Sequence, residues 1–299
     1  MRRLVRILDS VVNFIILSVF ILLLALGAYA IWDAEQVYSQ ALESYTQYKP
    51  DSPRDSLSFG ELMAINDDVF GWIDIYGTGM DYPLVQGENN STYINTTAKG
   101  EFALSGAIFL DYRNARDFSD FNSIIFGHHM DQGAMFGDIT KFNDAAWFDT
   151  HPYGNLFYNG RDHGLEIFAY LAADAYDTTL YTPAMDERSM QTAYIDYLRE
   201  LSVYWRDIGL NTEDHIVLLS TCSSGVTNGR ELIAARITDQ IYDDPDAGGD
   251  PNNQTTTGLF EQVKNWLARF NGWWLIIPAI CILPAVILTL KRRKQRKRG

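Results

Sequence analysis

The 299-residue chain carries 24 basic and 38 acidic side chains, a formal charge of −14, and two cysteines. That acidic balance argues against a nucleic-acid binder, which needs clustered Lys and Arg to neutralise phosphates. With Cys281 inside an apolar run, Cys222 is left as a lone thiol and not as half of a disulfide.

Residues 1–10 are basic, with Arg2, Arg3 and Arg6, and residues 11–31 form an apolar run broken only by Asn13 and Ser18. At about 1.5 Å per residue such a helix crosses a hydrocarbon core of roughly 30 Å. Ala28-Tyr-Ala30 resembles a signal cleavage site, but the run exceeds the roughly 7–15 residues of a signal core, so a retained anchor is the preferred reading. Residues 32–57 follow as a juxtamembrane helix and stalk, helical in composition from Asp33 to Lys49 and stopped by Pro50-Asp-Ser-Pro53.

Residues 58–242 read as one folded domain of a size suited to a single core. Trp72-Ile-Asp-Ile75 and Met80-Asp-Tyr-Pro-Leu-Val85 flank a Gly-Thr-Gly turn and predict a hairpin. Six further runs predict strands: 107–110, 122–126, 155–158, 165–173, 215–221 and 231–241. A short helix is predicted over 135–142 and a longer amphipathic one over 184–204. Eight strands with few helices point to a mainly β barrel or sandwich and not to alternating βαβ units.

Residues 243–270 are a linker that begins polar and rich in Gly and Pro, and 271–290 a second transmembrane helix entered through Trp273 and Trp274. A basic tail, 291–299, closes the chain. Basic residues at the outer end of each run place both termini in the cytoplasm and the domain between them on the extracellular face of the cell membrane. Setting aside Arg2, Arg3, Arg6, Asp9 and the seven basic tail residues leaves 14 basic against 37 acidic in the middle, a solvated acidic surface without calcium-loop spacing.

Cys222 closes the strand-like run Ile216-Val-Leu-Leu-Ser-Thr-Cys222, eight residues before Arg230. Alternation puts Ile216, Leu218, Ser220 and Cys222 on one face, and a loop over 223–229 would bring Arg230 back beside the sulfur on an antiparallel partner. Arg236 shares that parity but lies about 20 Å further along the strand. A thiolate attacking an amide builds charge on oxygen, which an arginine can hold while a histidine protonates the departing amine. Phe126-Gly-His-His129 offers His128 or His129, and parity alone does not choose between them. His151, His163 and His215 read as surface or structural histidines, and Asp111 and Asp138 as turn and helix-terminus residues. Ser220, Thr221 and Ser223 are candidates for lining a substrate groove, with strand packing as the competing role for the first two.

Several ordered motifs across the domain resemble those of the class B sortases. They are Asn66-Asp-Asp-Val-Phe-Gly-Trp-Ile73, Asp81-Tyr-Pro-Leu-Val-Gln-Gly87, Gly106-Ala-Ile-Phe-Leu-Asp-Tyr-Arg-Asn114, Phe126-Gly-His-His-Met130 with Gly133-Ala-Met-Phe-Gly-Asp138, and Leu219-Ser-Thr-Cys222 with Arg230. The resemblance implies an eight-stranded sortase-like β-barrel and selects His128, Cys222 and Arg230 as the catalytic trio. It implies a cysteine transpeptidase that cleaves a sorting motif of a secreted protein, forms a thioacyl-enzyme and passes the protein to an amine of a cell-wall precursor or a pilin. No metal or other cofactor is carried over. Leu218 stands where the family usually has Thr, and the second apolar run is more like that of pilin-polymerising sortases. A membrane-tethered cysteine peptidase and a non-catalytic binding domain are the rival readings.

Overall fold

The computed structural model describes residues 2–41, 45–50, 56–130, 133–222 and 227–245. The second span over 271–290, the basic tail, Cys281, Ser223 and most of the 243–270 linker lie outside the described residues. The described chain divides into an N-terminal helical unit up to Gln36 and a compact unit from Val37 onward. The N-terminal unit is the larger part of α1 (Arg2–Ala41), in which Val5–Asp33 is long and apolar enough to cross a membrane, at a mean hydropathy of 2.8.

The compact unit is a closed barrel. Its strands are β1 (Val69–Ile75), β2 (Asp81–Val85), β3 (Ile108–Leu110), β4 (Asn122–Phe126), β5 (Tyr153–Tyr158), β6 (Arg161–Asp174), β7 (Ser202–Trp205), β8 (His215–Cys222) and β9 (Gly229–Thr238). Eight of them follow each other around the ring as β5-β1-β2-β3-β4-β8-β9-β6, and pairing of β5 with β6 closes it. β6 is long enough to give its first half to β5 and part of its second half to β7 on the same edge, so β7 stands as a ninth strand outside the ring. Closure removes the unpaired edges that invite aggregation.

The predicted hairpin forms between β1 and β2, with Gly77 at φ 75° and the Ile75 N–H bonded to the Met80 carbonyl at 3.0 Å. The β5–β6 hairpin turns on Asn159-Gly160, both at positive φ, as a two-residue primed turn requires. The predicted helix over 184–204 is realised as α4 (Arg188–Leu201), followed at once by β7. Val203 and Tyr204 fit the helical period, but they are β-branched or aromatic and lie in β7, where Tyr204 pairs with Tyr170 and Trp205 with Ala169. The short helix predicted over 135–142 is a 3-10 helix at Gly137–Asn143, and α3 (Ala145–Thr150), capped by the Asp144 side chain, follows it unforeseen.

Two apolar layers hold β4, β8 and β9. The interior layer takes residues from all eight ring strands, among them Ile73, Leu84, Ile125, Leu156, Leu165, Val217, Leu219 and Ile233. The outer layer joins Ile124, Phe168, Ile216, Leu218, Leu232 and Ala234 to Tyr194, Ile195 and Leu198 of α4. Burial on both faces explains why the middle of β8 reads as a continuous apolar run. Tyr194 ties the outer layer together: its hydroxyl donates to the Leu180 carbonyl at 2.7 Å and accepts from Asn122 Nδ2 at 2.8 Å. Burial pushes that hydroxyl well above its ordinary value. Tyr194→Phe should therefore lower the urea midpoint by the equivalent of about 1–3 kcal/mol, the cost of leaving buried polar partners unsatisfied; an unchanged midpoint would mean that the network is not coupled to stability.

Upstream of β1, α2 (Ser56–Ile65) buries Phe59 and Leu62 in the interior layer. α1 ends at Ala41, and Ala41 and Tyr45 are already buried in the barrel layer. Beyond a 3-10 turn at Thr46–Tyr48, Lys49 Nζ bonds Asp74 at 2.7 Å and Asp81 at 3.0 Å. Asp74 and Asp81 face each other across β1 and β2, where like charges are unfavourable, and Lys49 bridges them. Burial opposes the charge on Lys49, but the two carboxylates raise it above the ordinary lysine value. Burial first, then the Asp81 carboxylate, raises Asp74 from 3.8 to about 6 against the pull of Lys49. A folded value above the unfolded one contributes stability that is present below about pH 4 and lost as pH rises through about 6. Asp74→Asn removes that slope, so the variant should gain on the wild type between pH 4 and pH 7 in paired urea titrations. A constant difference across that range would show Asp74 to be ionised throughout.

Candidate active site

Strand register brings three of the predicted site positions to one end of three adjacent strands. β4 and β8 run parallel, with Asn122 beside Ile216 and Phe126 beside Ser220, and the Gly127 N–H continues the ladder to the Ser220 carbonyl at 3.2 Å. Two residues past that pair stand His128 on one chain segment and Cys222 on the other. β9 runs antiparallel to β8 and places Arg230 directly opposite Cys222. Each of the three stands an even number of residues from members of the outer layer: Ile124, Leu218 and Leu232 respectively.

The remaining candidates lie elsewhere. Arg236 is opposite Ile216 at the far end of β8 and is engaged by Glu166 and, at 3.7 Å, by Asp214. His215 opens β8, about 23 Å of strand from Cys222, with Nδ1 2.9 Å from the Asp120 carbonyl. His151 stacks on Trp147 at 3.8 Å and His163 on Tyr158 at 3.9 Å. Burial lowers the His163 imidazole below its ordinary value.

His128 is half-buried, with Nε2 2.8 Å from the Ile94 carbonyl oxygen, and its own carbonyl accepts from the Phe136 N–H at 3.0 Å. The glycine before it is needed for space: a Cβ at Gly127 would lie 2.5 Å from Ile108 Cδ1 and 2.7 Å from the Phe136 ring. His129 pairs through its backbone with Met135, and its Nδ1 is buried without a hydrogen-bond partner among the described residues. Arg230 is half-buried, donates from Nη1 to the Gly229 carbonyl at 3.1 Å, and has no ion-pair partner among the described residues. A guanidinium opposite the cysteine position is suited to a developing oxyanion.

No protein-family model matches the chain. Sortase B of Listeria monocytogenes serovar 1/2a is 32% identical to it over 211 residues, covering 69% of this chain and 82% of that protein. The chain belongs to the class B sortase family. Among solved structures, sortase B from the type II pilus of Streptococcus pneumoniae is 48% identical, with a TM-score of 0.54 over 61% of this chain and 99% of that one. A Streptococcus pyogenes class B sortase involved in pilus biogenesis is 37% identical, with a TM-score of 0.56 over 60% of this chain and 97% of that one.

In this class B sortase the surroundings of the three positions include residues that carried no motif signal. Tyr181, on the segment between β6 and α4, stacks on Phe126 with ring centroids 6.0 Å apart, and its hydroxyl lies 3.0 Å from Ser220 Oγ. Ser220 is thus buried beneath Tyr181. Thr221 is buried as well, on the opposite parity, and its Oγ1 has no partner among the described residues. The segment is fixed to the barrel by Asn122 Nδ2 bonding the Thr182 carbonyl at 2.9 Å and by Arg113 Nη2 bonding the Tyr181 carbonyl at 3.1 Å. Arg113 also grips Asp111 through two nitrogens; burial alone would raise that carboxyl, but Arg113 and Asn90 hold it below the ordinary aspartate value. Asp138 accepts from the Gly79 N–H at 3.0 Å and pairs with Lys141 at 2.9 Å. Asp111 is therefore committed to its turn, and Asp138 to the 3-10 helix and the turn between β1 and β2.

Proposed function

We propose that this sortase is a membrane-anchored cysteine transpeptidase in which Cys222, His128 and Arg230 carry the chemistry. Support comes from the register that sets Arg230 opposite Cys222 and brings the segment after β4, which carries His128, alongside the end of β8. The Cys222 thiolate attacks the carbonyl of a sorting motif near the substrate's C-terminus, and Arg230 holds the oxyanion. The carbon–nitrogen bond breaks as the His128 imidazolium gives its proton to the leaving amine, and a thioester remains on Cys222. An incoming amine then attacks the thioester, the carbon–sulfur bond breaks, the thiolate returns, and the amine's proton passes to His128. The buried Ser220 and Thr221 shape the groove from beneath, and Ser223, next to Cys222 in sequence, completes its lining.

The apolar helix at Val5–Asp33 supports an N-terminal anchor. The basic flanks at residues 2–6 and 291–298 favour cytoplasmic termini and an extracellular domain over 58–242, tethered through 243–270 to a second span at 271–290. The acceptor is an amine of a cell-wall precursor or a pilin. The likeness to two sortases whose descriptions name pili favours the pilin. The test is product analysis with sorting-motif peptides, with and without an added amine such as oligoglycine or diaminopimelate. Transpeptidation predicts an amine adduct that grows with amine concentration; a hydrolysed product unaffected by amine would identify a cysteine peptidase.

A further inference from the structure

We infer that the backbone carbonyl of Ile94 sets the tautomer and orientation of His128, so that the proton delivered to the leaving amine departs from Nδ1, and that Gly106 keeps that carbonyl in place. The inference rests on the catalytic role proposed for His128. A carbonyl oxygen can only accept, so the His128 nitrogen 2.8 Å from it, Nε2, must carry a hydrogen. The neutral ring is then the Nε2–H tautomer. In the imidazolium, Nδ1–H is the proton left free to be given away.

The loop around Ile94 is built to present that one oxygen. The carbonyls on either side are occupied, Tyr93 O by the Ala107 N–H and Asn95 O by the Ala103 N–H, both at 3.1 Å. The Tyr93 hydroxyl anchors the loop from below, donating to Asp68 at 2.8 Å and accepting from Asn66 at 2.9 Å. Only the carbonyl between them points to the histidine. Behind it stands Gly106 at φ 62°, where an added Cβ would collide with the carbonyl oxygens of Ile94 and Tyr93. Gly106 is therefore a positioning residue, acting on the reaction through the Ile94 carbonyl. Gly100, in the same loop at φ 83°, supplies the control, because a Cβ there meets no atom within 4 Å.

The experiment uses the full chain, 15N-labelled at histidine, in detergent micelles about two pH units above the ordinary imidazole value of about 6.5. Signals of His128 are those lost in His128→Gln. The wild type should show a protonated Nε2 and a lone-pair-bearing Nδ1. Gly106→Ala should mix the two tautomers and lower kcat by roughly 10- to 100-fold, the scale of a misplaced catalytic group, with KM within about twofold. Gly100→Ala should keep the wild-type tautomer and kcat. An Nδ1–H tautomer in an active wild type would overturn this proposal alone, as would an unchanged tautomer and kcat in a folded Gly106→Ala. The wild-type spectrum decides the matter even where Gly106→Ala fails to fold. Full turnover in His128→Gln would remove the catalytic reading, and this proposal with it.

Discussion

Replacing Cys222 with alanine is expected to reduce transpeptidation of sorting-motif peptides by roughly 10⁴-fold or more, the range seen when a covalent nucleophile is removed from an acyl-transfer enzyme. Folding should hardly change. The position ends β8 opposite Arg230, and the ladder that fixes it continues from Ser220 and Thr221, which alanine at 222 leaves in place. Matching thermal unfolding of wild type and variant, alongside the lost turnover, would separate chemistry from stability. Turnover within a few-fold of wild type in Cys222→Ala would return the protein to the class of tethered binding domains.

Arg230→Ala carries the second large effect. In the proposed mechanism the Arg230 charge, with no carboxylate paired to it among the described residues, meets the oxyanion that forms at each acyl-transfer step. Removing one such donor costs about 10²- to 10³-fold in kcat, and the loss should fall on kcat more than on KM because the charge develops only in the transition state. Arg230→Lys should recover only part of it, since an ammonium on a flexible stem lacks the fixed donor fork of guanidinium. A surface strand residue would behave differently, with both variants close to wild type. Arg236→Ala distinguishes the two further: its partners are Glu166 and Asp214, at the far end of the strand from Cys222, so its loss should appear in stability and not in turnover.

The parts of this molecule that were legible in the sequence are those where burial writes a short period. β4 and β8 read as apolar runs because both faces are covered, and the β1–β2 hairpin announced itself through alternation about Gly77. The helix boundary at Leu201 was illegible because Val203 and Tyr204 satisfy helical spacing equally well; only the edge of β6 decides that they form β7. The Asn159-Gly160 turn was a signal that could have been used and was not. The docking of Ala41 and Tyr45 on the barrel could not be read from a stalk whose composition is simply helical.

The site divides the same way. Cys222 and Arg230 are joined by strand spacing that the sequence displays, whereas the partnership of β4 with β8 is a parallel pairing between segments some ninety residues apart, and no local pattern reports it. That pairing, through Phe126 and Ser220, brings the segment carrying His128 and His129 to the end of β8, and His129 pairs with Met135. Tyr181 was missed because nothing in its own neighbourhood marks it; its place depends on stacking against Phe126 from another element. Likewise the Ile94 carbonyl is a backbone atom, invisible to any reading of side-chain types.

The central claim is that a thioester forms on the lone thiol at the end of β8. Its most direct test is to incubate the full chain with a sorting-motif peptide in the absence of amine, quench in acid, and map the covalent adduct by mass spectrometry. The account predicts the acyl mass on the tryptic peptide 207–230 at Cys222, released by hydroxylamine and absent from Cys222→Ala. Peptide cleavage at the wild-type rate with no acyl group on that segment, or with the acyl group on another residue, would contradict it.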